Sequence, residues 1–334
     1  MRIVTLEEHF SLPVVAGFGG PPPKPAAANN DTMPGVVTNV AKTIVDLGDG
    51  RIADMDRHGI TVQVLSKAGV HIGPSADQFE GGEAIAFARK FNDEFARKIA
   101  SRPDRFAAFA HLPASIPDAA ADELERTVAA YGFKGALISG TIRGQFLDDQ
   151  KFAPLLARAE KLDVPIYIHP GMPPAEVRKA YYEGPFSQKI SFGLATFAWG
   201  WHYETALHVM RLAVAGIFDA YPRLNVIIGH MGEGLPAMLA RCEHQFGTEL
   251  SHLRRPLSQT ITDQVYITSA GFFTNPPFVA ALETFGIDRL MFSVDYPYAG
   301  NADGRAFLDN VPLSPGDLAK FAHGNADKLL KLKA

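Results

Sequence analysis

The stretch R-I-V-T-L-E-E-H occupies residues 2–9, where an apolar run ends in acidic and imidazole side chains. Three later apolar runs lead in the same way to His169, His230 and Asp295. Short apolar runs bounded by polar residues are typical of buried strands. The carboxyl ends of all strands in a parallel barrel meet at one mouth, so we expect these side chains to gather there. Their convergence predicts a metal site.

Amphipathic stretches separate the apolar runs, and this alternation predicts βα units and a parallel sheet. The predicted strands are 2–6, 61–65, 106–110, 135–138, 164–168, 226–228, 264–268 and 290–294. The predicted helices lie near 50–58, 82–101, 152–162, 204–220 and 236–249. Because 334 residues suit one α/β barrel, we predict a single domain over 1–334, with a long inserted loop after strand 1.

Two segments interrupt the alternation. Residues 11–41 are rich in Pro, Gly, Ala and Asn and predict a loop, which is either a lid or pocket wall or a simple excursion. The second segment, 170–201, is rich in aromatic residues, among them Phe197 and Trp199. We expect these two to bind a flat substrate at the barrel mouth. The alternative is burial against outer helices or another subunit.

The composition of the chain argues against some classes of binding partner. The net charge of −4 and a pI near 6.3, with scattered basic residues, do not favour nucleic acid. No stretch approaches 18 apolar residues and no basic leader is evident, so we expect no membrane partner and no export signal. The single cysteine, Cys242, suits a reducing cytoplasm, and it leaves His and carboxylate side chains as the metal ligands.

Glu7 and His9 point to the same side of a strand because side chains alternate, and Glu8 points to the other side. Taken alone, each candidate ligand could have a structural role instead of binding a metal. The pair could be neighbours on a half-exposed strand, His169 a structural histidine and Asp295 a turn-capping residue. Together they favour one divalent ion.

His230 and Glu233 are separated by three positions in G-H-M-G-E-G at 229–234. This spacing permits contact across one turn, so Glu233 could orient and polarise His230 as an acid/base pair. The glycines lack the G-x-G-x-x-G spacing of a nucleotide site. Arg241 follows on the same predicted helix, where it either pairs with a carboxylate or covers its own helix.

Five motifs carry a resemblance: L-E-E-H-F, I-H-P-G, W-G-W-H-Y-E-T, G-H-M-G-E-G-L-P and F-S-V-D-Y-P. In this order they resemble the amidohydrolase superfamily, and within it the aminocarboxymuconate semialdehyde decarboxylase-like branch, which includes resorcylate, dihydroxybenzoate and carboxyvanillate decarboxylases. The resemblance implies a (β/α)8 TIM-like barrel, one divalent ion and a homodimer or homotetramer. The implied metal ligands are Glu7, His9, His169 and Asp295, the pocket pair is His230 and Glu233, and Arg241 matches a family arginine.

These features predict a metal-dependent, non-oxidative decarboxylase of an ortho-hydroxylated aromatic or related conjugated carboxylic acid. Asp295 would carry a proton to the ring carbon, while His230 with Glu233 positions the ring hydroxyl. Arg143 or Arg241 would bind the acid. The ligand set suits Zn, Mn or Mg equally.

Residues 66–69 and 139–141 depart from the related decarboxylases, which leaves the substrate open. Lys134 lies near the start of strand 4, so it is no candidate for a bridging carbamylated lysine and one metal is expected. The main alternative is a hydrolase, in which Asp295 deprotonates a metal-bound water that attacks an ester, lactone or amide. Glutamate at position 7, instead of the H-x-H pair of many hydrolases in the superfamily, favours the decarboxylase. A third alternative is an ion that braces a binding or scaffold protein.

Overall fold

A computed structural model describes residues 1–12, 18, 40–67 and 75–333. The predicted loop at 11–41 therefore lies mostly outside the described residues. Within them the strands are β1 (Val4–Phe10), β2 (Val62–Lys67), β3 (Phe106–Ala108), β4 (Ala136–Ser139), β5 (Ile166–His169), β6 (Val226–Ile228), β7 (Val265–Thr268) and β8 (Leu290–Met291).

All paired strands are parallel and follow the order of the chain. One sheet contains β1, β2 and β3, and a second contains β4, β5, β6, β7 and β8, each strand hydrogen-bonded to the next. A bridge between Ala110 and Ala136 links the two sheets. At the remaining seam the His9 N–H donates to the Tyr296 carbonyl at 2.7 Å. The strands thus close on themselves, which confirms the predicted (β/α)8 barrel.

Helices surround the strands. They are α1 (Val40–Thr43), α2 (Asp49–His58), α3 (Gly81–Ile99), α4 (Pro117–Tyr131), α5 (Ala153–Leu162), α6 (Ala175–Val177), α7 (Gln188–Ala195), α8 (Gly200–Val214), α9 (Ile217–Ala220), α10 (Leu235–Phe246), α11 (Leu257–Gln264), α12 (Asn275–Phe285), α13 (Asn301–Asn310), α14 (Pro315–Ala319) and α15 (Asn325–Leu330). The predicted helix near 204–220 is two helices, α8 and α9. The sequence pattern does not locate the remaining helices, which are α1, α4, α6, α7, α11, α12, α13, α14 and α15.

Two apolar layers enclose the strands. The layer inside the barrel contains Val4, Leu6, Val62, Val64, Phe109, Leu137, Tyr167, Ile227 and Met291, with Ala326 and Leu330 contributed by α15. The second layer fills the space between the strands and the outer helices, where Phe10 stacks on Phe95 at a ring-centroid distance of 5.1 Å. Burying a side chain of this size contributes about 1.5–3 kcal/mol, so the strands are held from both faces.

Glu8 closes the seam between the first and last strands. Its buried carboxylate accepts hydrogen bonds from the N–H groups of Val294, at 3.0 Å, and Tyr296, at 3.1 Å. On the same outer face, the buried Arg51 donates to the His9 carbonyl at 2.9 Å. Glu8, which lies between two predicted metal ligands in the sequence, therefore helps to close the barrel. No helix in the described ranges has the length and apolar character needed to cross a membrane.

Candidate metal and catalytic site

Four of the predicted ligands meet at the mouth of the barrel. One ligand atom from each of Glu7, His9, His169 and Asp295 lies within 4.8 Å of the others. His9 Nε2 is 3.1 Å from Asp295 Oδ1, and His169 Nε2 is 3.1 Å from Glu7 Oε1. Strand β1 supplies two of these side chains, β5 supplies one, and the fourth follows β8. We call these four residues the metal cluster.

The metal cluster has the properties of a cation site. Among the described residues, Glu7 Oε1, Asp295 Oδ1 and His9 Nε2 are buried without a hydrogen-bond partner. Unpaired buried polar atoms are costly, and carboxylate oxygens facing imidazole nitrogens are a donor set that divalent ions accept. The residues present therefore fit one divalent ion.

A β-bulge turns Glu7 toward the metal cluster. The register of β1 against β2 shifts between Thr5 and Glu8, so that β1 carries one extra residue there. Leu6 packs in the barrel interior, and simple alternation would send its neighbour Glu7 outward. The extra residue interrupts the alternation of side chains at this point, so the Glu7 side chain also points into the barrel.

Ser293 satisfies the hydrogen bonds that the β-bulge leaves open. Two successive amides, those of Leu6 and Glu7, donate to Ser293 Oγ at 3.1 and 2.6 Å. The same hydroxyl donates to Glu8 Oε1 at 3.2 Å. One buried side chain near the end of the chain thus supports the backbone that presents the first metal ligand.

Groups outside the metal cluster orient the side chains of its ligands. The Tyr167 hydroxyl donates to Glu7 Oε2, and burial together with the Glu7 charge holds the pKa of this tyrosine well above its usual value. His169 Nδ1 contacts the Pro170 carbonyl at 2.7 Å, which turns Nε2 toward the metal cluster. Such contacts fix ligand geometry and commonly raise metal affinity by 10- to 100-fold, roughly.

His230 and Glu233 lie on a left-handed turn. The φ angles of His230, Met231 and Glu233 are +49°, +54° and +57°, and the intervening Gly232 also has a positive φ. Left-handed backbone costs non-glycine residues about 1–2 kcal/mol each. The strained turn brings His230 Nδ1 to within 2.7 Å of Glu233 Oε1. The predicted pair therefore does meet.

A third residue, His202, joins this pair and was not predicted. Its Nδ1 lies 2.5 Å from Glu233 Oε2, so one carboxylate bridges two imidazoles. His202 occupies the first turn of α8, within the W-G-W-H-Y-E-T motif. It does not follow a strand, so the pattern of polar residues at strand ends does not predict it. The histidine in that motif was the available signal. We call His202, Glu233 and His230 the histidine–carboxylate chain.

Charge is concentrated where the histidine–carboxylate chain meets the metal cluster. His230 Nε2 is 3.5 Å from Glu7 Oε1 and 3.9 Å from Asp295 Oδ2. Burial opposes a charge on His230, but the carboxylates of Glu233 and Glu7 outweigh burial and hold its pKa well above the usual value. The two imidazoles lower the pKa of Glu233 to about 2, although burial acts in the opposite direction.

None of the four predicted substrate-binding residues belongs to the metal cluster or supplies a side chain to the histidine–carboxylate chain. Arg143 pairs with Glu80 at 3.1 Å, and Arg241 is exposed on α10. Trp199 is 54% exposed beside Tyr203, while Phe197 is 42% exposed. The Phe197 carbonyl lies 3.0 Å from His202 Nε2, so this residue touches the histidine–carboxylate chain through its backbone. The aromatic side chains therefore face outward to a large extent.

Comparison with known proteins gives the class of this fold and site. A family model described as Amidohydrolase matches residues 9–332. The chain belongs to the amidohydrolase family.

Its relatives specify the reaction. Decarboxylase orsB of Emericella nidulans is 37% identical, over 99% of this chain and 97% of that protein. The gamma-resorcylate decarboxylase of Rhizobium radiobacter is 35% identical, over 98% of both proteins. A solved dihydroxybenzoic acid decarboxylase from Polaromonas sp. JS666, with bound manganese and the inhibitor 2-nitroresorcinol, has a TM-score of 0.85 and 32% identity over 99% of this chain and 98% of that chain. The protein is an enzyme of the decarboxylase (carboxy-lyase) class.

Proposed function

We propose that this enzyme removes carbon dioxide, without oxidation, from an ortho-hydroxylated aromatic carboxylic acid. The observation that carries the proposal is the contact between the metal cluster and the histidine–carboxylate chain, 3.9 Å apart at Asp295 Oδ2 and His230 Nε2. An ion that chelates a carboxylate and an adjacent oxygen needs acid/base groups directly beside it. The relatives named for resorcylate and dihydroxybenzoate support this substrate class.

One divalent ion, proposed to be manganese, would be held by Glu7, His9, His169 and Asp295. When bound, such an ion neutralises negative charge on chelated substrate oxygens and orients them. Manganese is chosen because nitrogen and oxygen ligands suit it and because the relative from Polaromonas binds it. His230, oriented by Glu233, would contact the ring hydroxyl.

The reacting carbon must gain a proton, and Asp295 is the proposed donor. Burial favours the neutral carboxyl, but the contacts with His230 and His9 outweigh burial and lower the pKa of Asp295. Asp295 is therefore ionised at rest and has to take up a proton first. His230 is the proposed source, because its raised pKa keeps it protonated, although the two pKa shifts by themselves favour leaving the proton on His230. Proton transfer from Asp295 to the carboxylated ring carbon precedes C–C cleavage. The bonding pair then returns to the ring as carbon dioxide leaves.

The test is to offer manganese-loaded protein a panel of ortho-hydroxybenzoates, aromatic esters and lactones, and to measure carbon dioxide and product mass. In D2O, the expected product carries one deuterium at the vacated carbon. Asp295→Asn should lower turnover by at least about 100-fold, the scale of general acid catalysis. Asp288→Asn, a change at an exposed aspartate outside the site, should leave turnover unaltered.

Hydrolysis is the alternative outcome of the same assay. Incorporation of 18O from labelled water, with no carbon dioxide, would overturn the decarboxylase and make Asp295 a base that activates water. Full turnover by Asp295→Asn would instead refute only its role as proton donor.

Arg143 and Arg241 are the proposed partners of the substrate carboxylate. Changing either to Met should raise KM more than it lowers kcat, because a binding contact present before the reaction is lost. Steady-state kinetics with the best substrate of the panel would measure this. An unchanged KM for either variant would remove that residue from the binding site.

We further propose a homodimer or homotetramer in the cytoplasm. Exposed apolar side chains concentrate along one stretch and include Tyr181, Phe186, Ile190, Phe192, Phe197, Trp199, Tyr203 and Leu207. Such a patch on a soluble domain is typical of a subunit interface. Sedimentation over a dilution series tests the assembly. The cytoplasmic location is supported by the single cysteine of the sequence, Cys242.

A further inference from the structure

His202 forms one end of the histidine–carboxylate chain, and His230, which contacts the metal cluster, forms the other. The His202 side chain is buried, and its Nδ1 lies 2.5 Å from Glu233 Oε2. The second oxygen of the same carboxylate, Glu233 Oε1, is 2.7 Å from His230 Nδ1. Each oxygen of this buried carboxylate is therefore held by a different imidazole.

The charge of Glu233 decides where the protons of both rings lie. Burial alone would raise the pKa of this carboxyl, but His230 and His202 lower it to about 2. An ionised carboxylate only accepts hydrogen bonds, so the Nδ1 atoms of both rings carry protons and donate. With its Nδ1 directed to Glu233, His230 presents its Nε2 to the metal cluster.

Contacts on its other side hold His202 in place. Its Nε2 lies 3.0 Å from the Phe197 carbonyl and 3.3 Å from Trp201 Nε1. A neutral ring accepts from the Trp201 indole N–H and a charged ring donates to the carbonyl, so Nε2 has a partner in either state. The ring also packs edge-on against Phe272, at a centroid distance of 5.2 Å. His202 is thus fixed independently of Glu233 and can serve as its anchor.

The distances within the chain are those of hydrogen bonds and not of a second metal site. One ligand atom from each of its three residues lies within 4.8 Å of the others. Two ligand atoms on a tetrahedral ion, with bonds of about 2.1 Å, are roughly 3.4 Å apart. The nitrogen–oxygen distances of 2.5 and 2.7 Å are much shorter, as expected for hydrogen bonds to an ionised carboxylate.

Loss of His202 would leave Glu233 Oε2 buried without this partner, which is costly for a charged oxygen. A carboxylate held through one oxygen can turn about its side-chain bonds, and the ring of His230 would turn with it. We propose that His202 is a positioning residue, which acts through Glu233 to keep His230 Nε2 directed at the substrate. This inference rests on the proposed function, because that function gives His230 the contact with the ring hydroxyl.

Steady-state kinetics of two His202 variants test the proposal. His202→Leu removes the N–H donor and keeps a buried side chain of similar size. In manganese-loaded protein it should lower kcat on the order of 100-fold, the effect of a misplaced reacting group, while KM and the manganese dissociation constant change little. His202→Asn should restore most of kcat, because its amide can place an N–H donor near the position of Nδ1. A loss of packing alone would not be rescued in this way.

His208→Leu is the matched control on the same helix. His208 is also buried, and its Nε2 accepts a hydrogen bond from the Leu147 N–H at 2.9 Å. Its replacement should lower stability but leave kcat near the wild-type value. If His202→Leu does not fold, His202→Phe takes its place, since it keeps a flat ring against Phe272 and lacks the donor.

Nuclear magnetic resonance tests the same contacts without turnover. Chelator-treated protein with 15N-labelled histidine should show two strongly hydrogen-bonded ring N–H protons that both disappear in Glu233→Ala. In His202→Leu, the His202 signal should be lost and the His230 signal should shift and exchange faster with water. In His202→Asn, the His230 signal should remain as in the wild type.

Three results would overturn the proposal. They are wild-type kcat in a folded His202→Leu enzyme, a His202→Asn enzyme as slow as His202→Leu, and a His230 signal that His202→Leu does not change. A second manganese ion bound by the wild type and lost in His202→Leu would also overturn it. Failure of the proposed function is distinguishable, because it would appear as wild-type enzyme that releases no carbon dioxide from any acid of the panel, whereas the proton signals are measured without substrate.

Discussion

Replacing Ser293 by Ala should damage both the stability of the barrel and its affinity for a metal ion. The hydroxyl accepts from the amides of Leu6 and Glu7 and donates to Glu8 Oε1. Alanine removes all three hydrogen bonds while changing the side-chain volume by one oxygen atom. The two amides lie in the β-bulge and are left without this acceptor.

The magnitude follows from counting those groups. Each buried donor left without an acceptor costs about 1–3 kcal/mol, and loss of the hydrogen bond to Glu8 adds a similar amount. Because neighbouring losses are not additive, we expect Ser293→Ala to lower the free energy of unfolding by about 3–6 kcal/mol. This is a large share of the usual total of about 5–15 kcal/mol. Glu7 then loses its fixed direction, which should weaken ion binding by roughly 10- to 100-fold.

Two assays separate these effects. Denaturant unfolding of chelator-treated protein gives the change in stability, and chelator competition gives the dissociation constant for manganese. Thr127→Val is the control, since Thr127 is a buried hydroxyl on α4 whose proton goes to the helical carbonyls of Glu123 and Leu124. It should lose little stability and bind manganese as the wild type does.

The reasoning fails if Ser293→Ala unfolds at the wild-type denaturant concentration, because the hydrogen bonds in the β-bulge would then contribute nothing measurable. It fails in a different way if stability falls but the manganese dissociation constant is unchanged. In that case the direction of Glu7 does not depend on Ser293.

Three further predictions concern the groups around the ion. Tyr167→Phe should weaken manganese binding roughly tenfold in chelator competition, because Glu7 loses an orienting donor. Tyr266→Phe, at a partly buried tyrosine of β7 that packs against the inner layer, should not. Glu233→Gln should lower kcat by about 100-fold or more with manganese affinity nearly unchanged; wild-type kcat would exclude an acid/base role for the pair. Adding manganese to chelator-treated protein should release protons, because the pKa of His169 is raised by Glu7 despite burial and a ligand nitrogen must be deprotonated. The release should be largest below that raised pKa and vanish as pH rises above it, as calorimetry in buffers of different ionisation enthalpy would measure.

The sequence predicted the part of the site that depends on where strands end. Apolar runs leading to His169 and Asp295 are local features, and the barrel geometry that brings their ends together is general. The predicted strand 1 stopped at residue 6, whereas β1 continues to Phe10, because Glu7 and His9 are buried in the strand and do not follow it. The direction of both side chains was nevertheless predicted correctly.

The β-bulge and His202 depend on partners that local pattern does not contain. The β-bulge is set by the register against β2 and by Ser293, almost the full chain away from Leu6. His202 reaches Glu233 only because the first turn of α8 passes over the mouth of the barrel. Both features require the tertiary structure, so periodicity and motif spacing could not reveal them.

The closure of the barrel has a consequence for how the enzyme is made. Asp295 is synthesised after Glu7, His9 and His169, so no ion can find its full ligand set until synthesis has passed β8. Pairing of strands so distant in sequence is slow. A chain truncated before β8 would lack both the fourth ligand and the Ser293 support for the first. Acquisition of the ion by its full ligand set therefore has to wait for β8, and metal content would report on chains in which the barrel has closed.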